Sequence, residues 1–501
     1  MHSGLLEKAD SAARRIAFVA AALFFSVGIS IPALNGALLL HVDEGYTLIK
    51  STLISAGYDQ SLIDTDQPPI MPLLLALVFK YSFPSVELGR LCTLLFSTIL
   101  VWVFIGIAFK ATNVFAAIVG AVCLILTPAY LRLSVSVMIG LPAFAFALCS
   151  IALLTVESQR PCKGRMFLSG LLLAVAVMTK LSAFLVLPAC LAFIAIKVVS
   201  VNGSRCSNSF RGTAIYWLVG VCTTLVAIWC ACGCNWSQLI SSHISKATRS
   251  SFDTVSNGNG TLLQVLAGDK ITLTLAISGV VTSIIFREWI KLLFPFVWLI
   301  TALGAHFWHK PFLYYHYLHF AIPSAWLAAL GAFGLFNAIN RFLLKSQDVL
   351  SIRSICTVVA VSLVISICAL EAGPTLQRVQ TSVEFVRDGW EEEILKRMAI
   401  YQGRTRWVVT DNPILPFRLG LLVPPEVAVL SFKRVKSGHF SKEQMINAIY
   451  HYQPEQIVWN DWKMYTGKID EALKRDYIIT YEQGGARLLI RRSILDAANH
   501  R

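Results

Sequence analysis

Two groups of polar residues, each with at least one carboxylate, lie between the first two apolar runs of this sequence, where helix packing does not require them. Asp43 and Glu44 follow the apolar run that ends at Leu40, and Asp66 and Gln67 precede a Pro-Pro pair. A carboxylate after a helix C-terminus opposes the helix dipole, at a cost of about 0.3–1 kcal/mol when exposed. Chemistry therefore explains the pair at 43–44 better than stability does, and a carboxylate is a suitable general base for a hydroxyl proton.

Cationic side chains lie at the boundaries of several other apolar segments, where ionisable groups usually face a cavity. Arg90 and Arg132 could also extend to lipid headgroups, whereas Lys180 interrupts an apolar stretch, which is costly. His316 lies beside Tyr315 in an aromatic segment. A base together with several cations suits glycosyl transfer from a lipid phosphate, because the leaving phosphate gains negative charge.

The composition is that of a membrane protein. Hydrophobic residues make up 56% of the 501 residues and charged residues 14%, against roughly 45–50% and 25% in soluble proteins. The net charge of +14 comes from lysines and arginines scattered between apolar runs. This distribution indicates membrane topology and argues against a nucleic-acid partner.

The apolar runs predict eleven membrane-spanning helices, with the N-terminus in the cytoplasm and the C-terminus outside. The predicted spans are 16–40, 88–109, 114–130, 135–155, 166–179, 181–199, 214–233, 271–286, 292–308, 315–336 and 354–370. The fifth and sixth form a pair hinged at Lys180, since merging them would place several cytoplasmic cations outside. The run Ile70–Phe83 is short for a span and is expected to be an interfacial helix in the first outer loop.

From residue 371 the sequence becomes that of a soluble domain, so we divide the chain into a membrane domain, 1–370, and an extracytoplasmic α/β domain, 371–501. RWVVTDN and QIVWND are expected strands, and YIITYEQGGARLLIRR is an expected hairpin. WEEEILKRMAIYQ, SKEQMINAIYHY and WKMYTGKIDEALKRD are expected helices. Without a phosphate-binding glycine loop or a nucleophile motif, this domain is expected to bind the acceptor or to cover the membrane site.

The order and placement of these motifs resemble the GT-C glycosyltransferases, particularly the branch of protein O-mannosyltransferases and lipid A aminoarabinose transferases. The matching segments are the DE pair, DQPP, ELGRL, AYLRLS, VMTKLSAFLVLP, YYHYLHFAIPSAWLAAL and DNPILPFRLGLLVPPE. The resemblance covers nearly the whole chain and implies a polytopic helical GT-C fold. It implies an inverting transfer of a sugar from undecaprenyl or dolichyl phosphate to a hydroxyl or phosphate of a lipid, glycan or protein, at the outer face of a bacterial or archaeal cytoplasmic membrane.

The resemblance also implies a role for each candidate residue. Asp43 is the expected catalytic base with Glu44 beside it, although adjacent residues point in different directions and so have different roles. Asp66, which could also simply begin a turn, and Gln67 are expected near the acceptor or a metal ion. The residues expected to bind the donor are Arg90, Arg132, Lys180, Tyr315 and His316.

Two positions depart from the family pattern and leave the donor sugar open. Ile139-Gly140 stands where an acidic residue is frequent, and His316-Tyr317 stands where Arg-Tyr is more frequent. No cofactor is predicted from the sequence. A divalent metal ion remains an open alternative, because His306 and His309 have the spacing of a metal-binding pair on a helix but no assigned partner.

Two other classes of protein fit parts of this pattern. A secondary transporter or lipid-linked-sugar flippase would also have many apolar helices, but transporters usually show repeated halves and charges at mid-membrane. Here the charges collect at one face and a soluble domain follows. A scaffold protein of the membrane would leave the DE pair unexplained.

Overall fold

The structure of the protein, a computed structural model, is predominantly helical. It describes residues 2–30, 42–58, 67–155, 162–200, 205–233, 239–240, 268–308, 314–344, 359, 362, 366–375, 377–378, 389–430, 434–435, 438–459, 473–483 and 485–499. The first helices are α1 (His2–Ser30), α2 (Val42–Ser55), α3 (Ile70–Tyr81), α4 (Val86–Ala111), α5 (Val114–Ile125), α6 (Pro128–Ser134) and α7 (Gly140–Leu154). They are followed by α8 (Lys163–Thr179), α9 (Leu187–Ser200), α10 (Arg205–Cys232), α11 (Lys270–Ile285), α12 (Trp289–Trp308) and α13 (Leu318–Leu344).

The chain is a multi-pass membrane protein. Within the described residues, 5 helical segments are long and apolar enough to cross a bilayer: 86–111, 181–199, 214–232, 289–307 and 315–340. Shorter apolar helices lie at 70–81, 114–125, 140–154 and 270–285. The first predicted span, 16–40, is described only to Ser30, and of the last, 354–370, only residues 359, 362 and 366–370 are described.

The predicted break between two spans at Lys180 is confirmed. Helix α8 ends at Thr179, Lys180 has extended backbone angles, and a 3₁₀ helix at Leu181–Val186 leads into α9. The predicted span 114–130 is instead divided into α5 and α6. Pro128, at the first position of α6, explains this division, because proline disfavours helical geometry in the residue before it.

Glycines allow two of the central helices to pack backbone against backbone. A Cβ atom on Gly279 of α11 would collide with the carbonyl oxygen of Leu327 in α13, and one on Gly331 of α13 would collide with that of Leu275 in α11. Small residues at such contacts let helices in a membrane approach closely and gain van der Waals contact. The backbones of α11 and α13 therefore lie in direct contact at these two glycines.

The C-terminal region forms a small α/β fold, as the strand and helix pattern predicts. Its elements are α14 (Gly389–Ile400), β1 (Val408–Thr410), α15 (Ile414–Arg418), α16 (Lys442–Tyr452), β2 (Gln456–Trp459), β3 (Tyr477–Gln483), β4 (Ala486–Arg491) and α17 (Arg492–Asn499). The strand order is β1-β2-β4-β3, with β1 and β2 parallel and the other neighbours antiparallel. Of the helix predicted in WKMYTGKIDEALKRD, residues 462–472 lie outside the described residues.

This small sheet shares its hydrophobic core with the first loop of the membrane region. Leu48 and Leu53 of α2 and Leu75 of α3 belong to the same buried cluster as Val408 and Ile414. Residues 42–55, which the sequence interpretation placed in the first outer loop, are therefore helical. Helix α3 lies where the interfacial helix was expected.

We predict that Gly279→Ala lowers the midpoint of thermal unfolding of the purified protein, because α11 and α13 must move apart. Overpacking of this kind costs typically about 1–3 kcal/mol. Gly106→Ala is the matched control, since a Cβ at Gly106 of α4 meets no atom within 4 Å. An unchanged midpoint for Gly279→Ala would contradict the close packing of this pair.

Candidate functional site

The acidic pair lies in the first turn of a helix. Asp43 and Glu44 are the second and third residues of α2, so a helix stands where the sequence predicted a loop. At a helix N-terminus the dipole stabilises a carboxylate, by about 0.3–1 kcal/mol at an exposed site. The sequence signal was missing because no Ser, Thr, Asp or Asn stands immediately before Val42.

The two neighbouring carboxylates face different surroundings. Asp43 is half-buried and lines a cavity. Glu44 is buried, and its carboxylate accepts hydrogen bonds from Arg90 Nε and Nη2 at 3.0 Å each. The backbone N–H of Val137 donates to the same carboxylate at 2.8 Å. Their divergence follows from the helical geometry, which turns adjacent residues away from each other.

The pair between Glu44 and Arg90 is almost completely removed from solvent, with side chains 1% and 0% exposed. Bidentate arginine–carboxylate geometry is directional, because it aligns two hydrogen bonds at once. The pair therefore fixes α2 to α4, and the Val137 contact adds the segment before α7. Both residues were expected in the site, but neither lines the cavity.

The cavity has a volume of about 700 Å³ and lies where several helices begin or end. It is bounded by α2, by the residues before α3 and at the start of α7, by the Lys180 break, by the end of α12 and by the 3₁₀ turn before α13. Its lining is mostly apolar. The lining residues are Asp43, Thr47, Gln67, Pro68, Met138, Ile139, Gly140, Lys180, Leu181, Ser182, Phe184, Leu185, Ile240, Ala305, His306, Tyr315 and His316.

Lys180 brings a positive charge into this cavity. Its Nζ lies 4.8 Å from the ring centroid of Tyr315, a cation–π distance. The side chain is 9% exposed, so its ammonium group is largely withdrawn from bulk water. A Cβ atom on Gly140 would lie 3.4 Å from Lys180 Nζ. Gly140, where the family pattern frequently has an acidic residue, therefore lies directly beside Lys180.

Three histidines form a cluster next to Lys180, which we call the histidine cluster: His306, His316 and His319. The ring centroid of His306 lies 4.9 Å from that of His316 and 5.6 Å from that of His319. His319 Nε2 is 2.9 Å from Ser182 Oγ, so this cluster also contacts the 3₁₀ helix that follows Lys180. His306 and His316 line the cavity, whereas His319 lies behind them.

The structure thus brings together five of the residues predicted from the sequence: Asp43, Gln67, Lys180, Tyr315 and His316. Arg132, in α6, does not line the cavity, and Asp66 lies outside the described residues. Thr47, Ser182 and His319 were not predicted. Thr47 follows Asp43 by one helical turn, a spacing that would have indicated it once α2 was known.

A metal site is not defined by this arrangement. Among the residues that the structure describes, no group of three or more His, Cys, Asp or Glu side chains is placed to hold a metal ion. The predicted pair of His306 and His309 cannot be compared, since His309 lies outside those residues. No step below is assigned to a metal.

The helical bundle with its small C-terminal sheet has the same fold as two proteins of known structure, in agreement with the fold that the sequence resemblance implied. The chain is similar to ArnT from Cupriavidus metallidurans bound to undecaprenyl phosphate, with a TM-score of 0.57, 14% identity, and coverage of 94% of this chain and 98% of that one. The apo state of ArnT gives a TM-score of 0.56 and 14% identity, with coverage of 95% and 97%.

A second solved structure with a similar fold is the Archaeoglobus fulgidus oligosaccharyltransferase in complex with Zn and sulfate. Its TM-score is 0.52 at 13% identity, covering 91% of this chain and 69% of that one. No protein-family model and no curated protein sequence matches the chain. At these identities the likeness establishes the fold.

We predict that Arg90→Met strongly destabilises the protein, because it leaves the Glu44 carboxylate buried without its cation. Removing one partner of a buried ion pair costs about 3–5 kcal/mol. The double variant Glu44→Leu/Arg90→Met should recover part of this loss, with the Val137 amide still lacking its acceptor. Thermal unfolding of the purified proteins measures both effects.

The control for this experiment is Glu288→Gln, which removes a partly exposed ion pair with Lys291. Such pairs contribute about 0–1 kcal/mol, so a small change is expected. A double variant no more stable than Arg90→Met would contradict the assigned role of the buried pair.

Proposed function

We propose that this protein is an inverting glycosyltransferase that moves a sugar from a polyprenyl-phosphate donor to an acceptor hydroxyl or phosphate. The observation that carries this proposal is the shared cavity of Asp43, Lys180 and His316. It offers one carboxylate for proton removal and cationic groups for a phosphate, within mostly apolar walls. The GT-C fold supports the same reaction class, and the structure of ArnT contains undecaprenyl phosphate.

In the proposed reaction Asp43 accepts the proton of the acceptor hydroxyl as the oxygen attacks the anomeric carbon of the donor sugar. The new carbon–oxygen bond forms as the bond to the phosphate oxygen breaks, and the phosphate leaves with the electron pair. Lys180 and the protonated form of His316 would stabilise that charge. A single displacement inverts the anomeric centre.

The apolar part of the cavity suits the lipid portion of the donor. Leu181, Phe184 and Leu185 extend the lining away from Lys180 along the 3₁₀ helix. Phe184 is also 54% exposed, so this wall continues to the outside of the protein. We assign this side to the isoprenoid chain and the Lys180 side to the phosphate.

The remaining predicted residues receive proposed roles that follow their positions. Gln67 lines the cavity and is assigned to substrate binding. Glu44 and Arg90 are assigned to holding α2 rather than to substrate. The substrate-binding roles of Asp66 and Arg132 stay predictions. The acceptor is a lipid, a glycan or a protein.

We further propose that the N-terminus is cytoplasmic, and that the cavity and the domain 371–501 face the outside of a cytoplasmic membrane. The support is the distribution of lysines and arginines between the apolar runs, which follows the positive-inside rule. In this orientation a lipid-linked donor reaches the cavity from the outer leaflet.

Asp43→Asn should lower kcat by about 10²–10⁴-fold, the usual contribution of a general base. The assay is transfer of labelled sugar from a panel of polyprenyl-phosphate hexoses, pentoses and aminopentoses in membranes containing equal amounts of each variant. The control is Glu482→Gln, which removes a surface carboxylate of β3 that pairs with Arg487.

Undiminished transfer by Asp43→Asn would show that Asp43 is not the base. Movement of the lipid-linked sugar across vesicles without any transfer product would instead support the transporter or flippase class.

Gly140→Asp should raise the apparent KM for the donor at least about tenfold, equivalent to roughly 1.4 kcal/mol. A carboxylate at this position would lie beside Lys180 Nζ and compete with the donor phosphate. Gly140→Asn is the matched control, because the amide has the same shape without the charge. Equal KM values for the two variants would exclude Lys180 as a phosphate ligand.

A further inference from the structure

The first turn of α2 is held on two sides by different parts of the protein. On one side Glu44 binds Arg90 of α4 and the amide of Val137. On another side Gly45 packs against the backbone of the C-terminal region, because a Cβ on Gly45 would lie 2.5 Å from Ile414 N. Only glycine permits this approach of α2 to α15.

Tyr46 adds a polar contact on the side of the C-terminal region. Its side chain is 5% exposed, and its hydroxyl lies 3.0 Å from the carbonyl oxygen of Leu430 and 3.2 Å from that of Asp411. The single hydroxyl proton is shared between these two acceptors. Asp411 follows β1 directly, so this hydrogen bond connects α2 to the end of a strand of the sheet.

Successive residues of an α-helix are about 100° apart around the axis. Glu44, Gly45 and Tyr46 therefore face three different directions, and each of these directions is occupied by a contact described above. Asp43, the residue before them, faces a fourth direction and lines the cavity. The rotation of the helix, and with it the direction of the carboxylate, depends on both sets of contacts.

We propose that Tyr46 is a positioning residue through which the C-terminal domain holds Asp43 in its reactive direction. This inference rests on the proposed function, because it assumes that Asp43 accepts the acceptor proton. It gives the domain a task in the membrane site itself, in addition to binding the acceptor or covering the cavity. The domain acts by fixing the helix that carries the base.

The test is Tyr46→Phe in the full-length protein in lipid nanodiscs, which removes the hydroxyl and keeps the ring. We expect kcat to fall by about 10- to 100-fold, the cost of misplacing a reacting group by roughly 1 Å. The KM for the donor should stay unchanged, because the hydroxyl lies outside the cavity. Amide hydrogen exchange in 42–55 should become faster, since the first turn loses one of its restraints.

Tyr477→Phe is the matched control. Its hydroxyl also donates to a backbone carbonyl, that of Pro454 at 2.7 Å, and this hydrogen bond lies within the C-terminal region. Burial raises the pKa of the Tyr477 hydroxyl, so it remains a donor across the assay range. This variant should leave kcat and the exchange of 42–55 as in the wild type.

Three outcomes would overturn the inference: an unchanged kcat in Tyr46→Phe, an equal loss of kcat in Tyr477→Phe, or unchanged exchange in 42–55. If Tyr46→Phe does not fold, Gly45→Ala disturbs the same junction through Ile414, and an unchanged kcat there would also overturn it. A wild type that transfers no sugar from any donor would refute the proposed function. The exchange comparison would then still decide whether Tyr46 holds the helix.

Discussion

The buried pair of Glu44 and Arg90 is the interaction on which the rest of the site depends. Apolar packing could hold α2 against α4 equally tightly, but it is not directional and would leave the helix free to rotate. Two aligned hydrogen bonds in a nearly dry environment restrict that rotation. Taking both charges out of water is costly. We therefore interpret the pair as a contact that specifies the orientation of α2. In that orientation Asp43 faces the cavity.

The cavity itself is assembled from places where helices are interrupted. The Lys180 break, the start of α7 at Gly140 and the 3₁₀ turn that carries Tyr315 and His316 all meet at its walls. Helix ends expose backbone groups and allow side chains to point along the bundle rather than into its packed faces. An apolar bundle can therefore keep a rigid frame, as at Gly279, and still present polar groups at one end.

Much of the fold could be predicted from the sequence, because membrane spans and strands depend on local patterns of hydrophobicity. The break at Lys180 and the hairpin around β3 and β4 were predicted correctly for this reason. Helix α2 was missed, since it is short, lacks a cap residue and buries its apolar face against a distant part of the chain. Several members of that core, such as Val408, are more than three hundred residues away in the sequence.

What the sequence by itself determined is the class of fold, the apolar helices and five of the side chains that line the cavity, Asp43, Lys180 and His316 among them. Only the tertiary structure decided that Glu44 turns away from Asp43 and joins Arg90, 46 positions along the chain, and the amide of Val137, 93 positions along. The physical reason is that hydrophobic periodicity is a property of neighbouring residues. Ion pairing, burial and the lining of a cavity arise only when separate elements pack together.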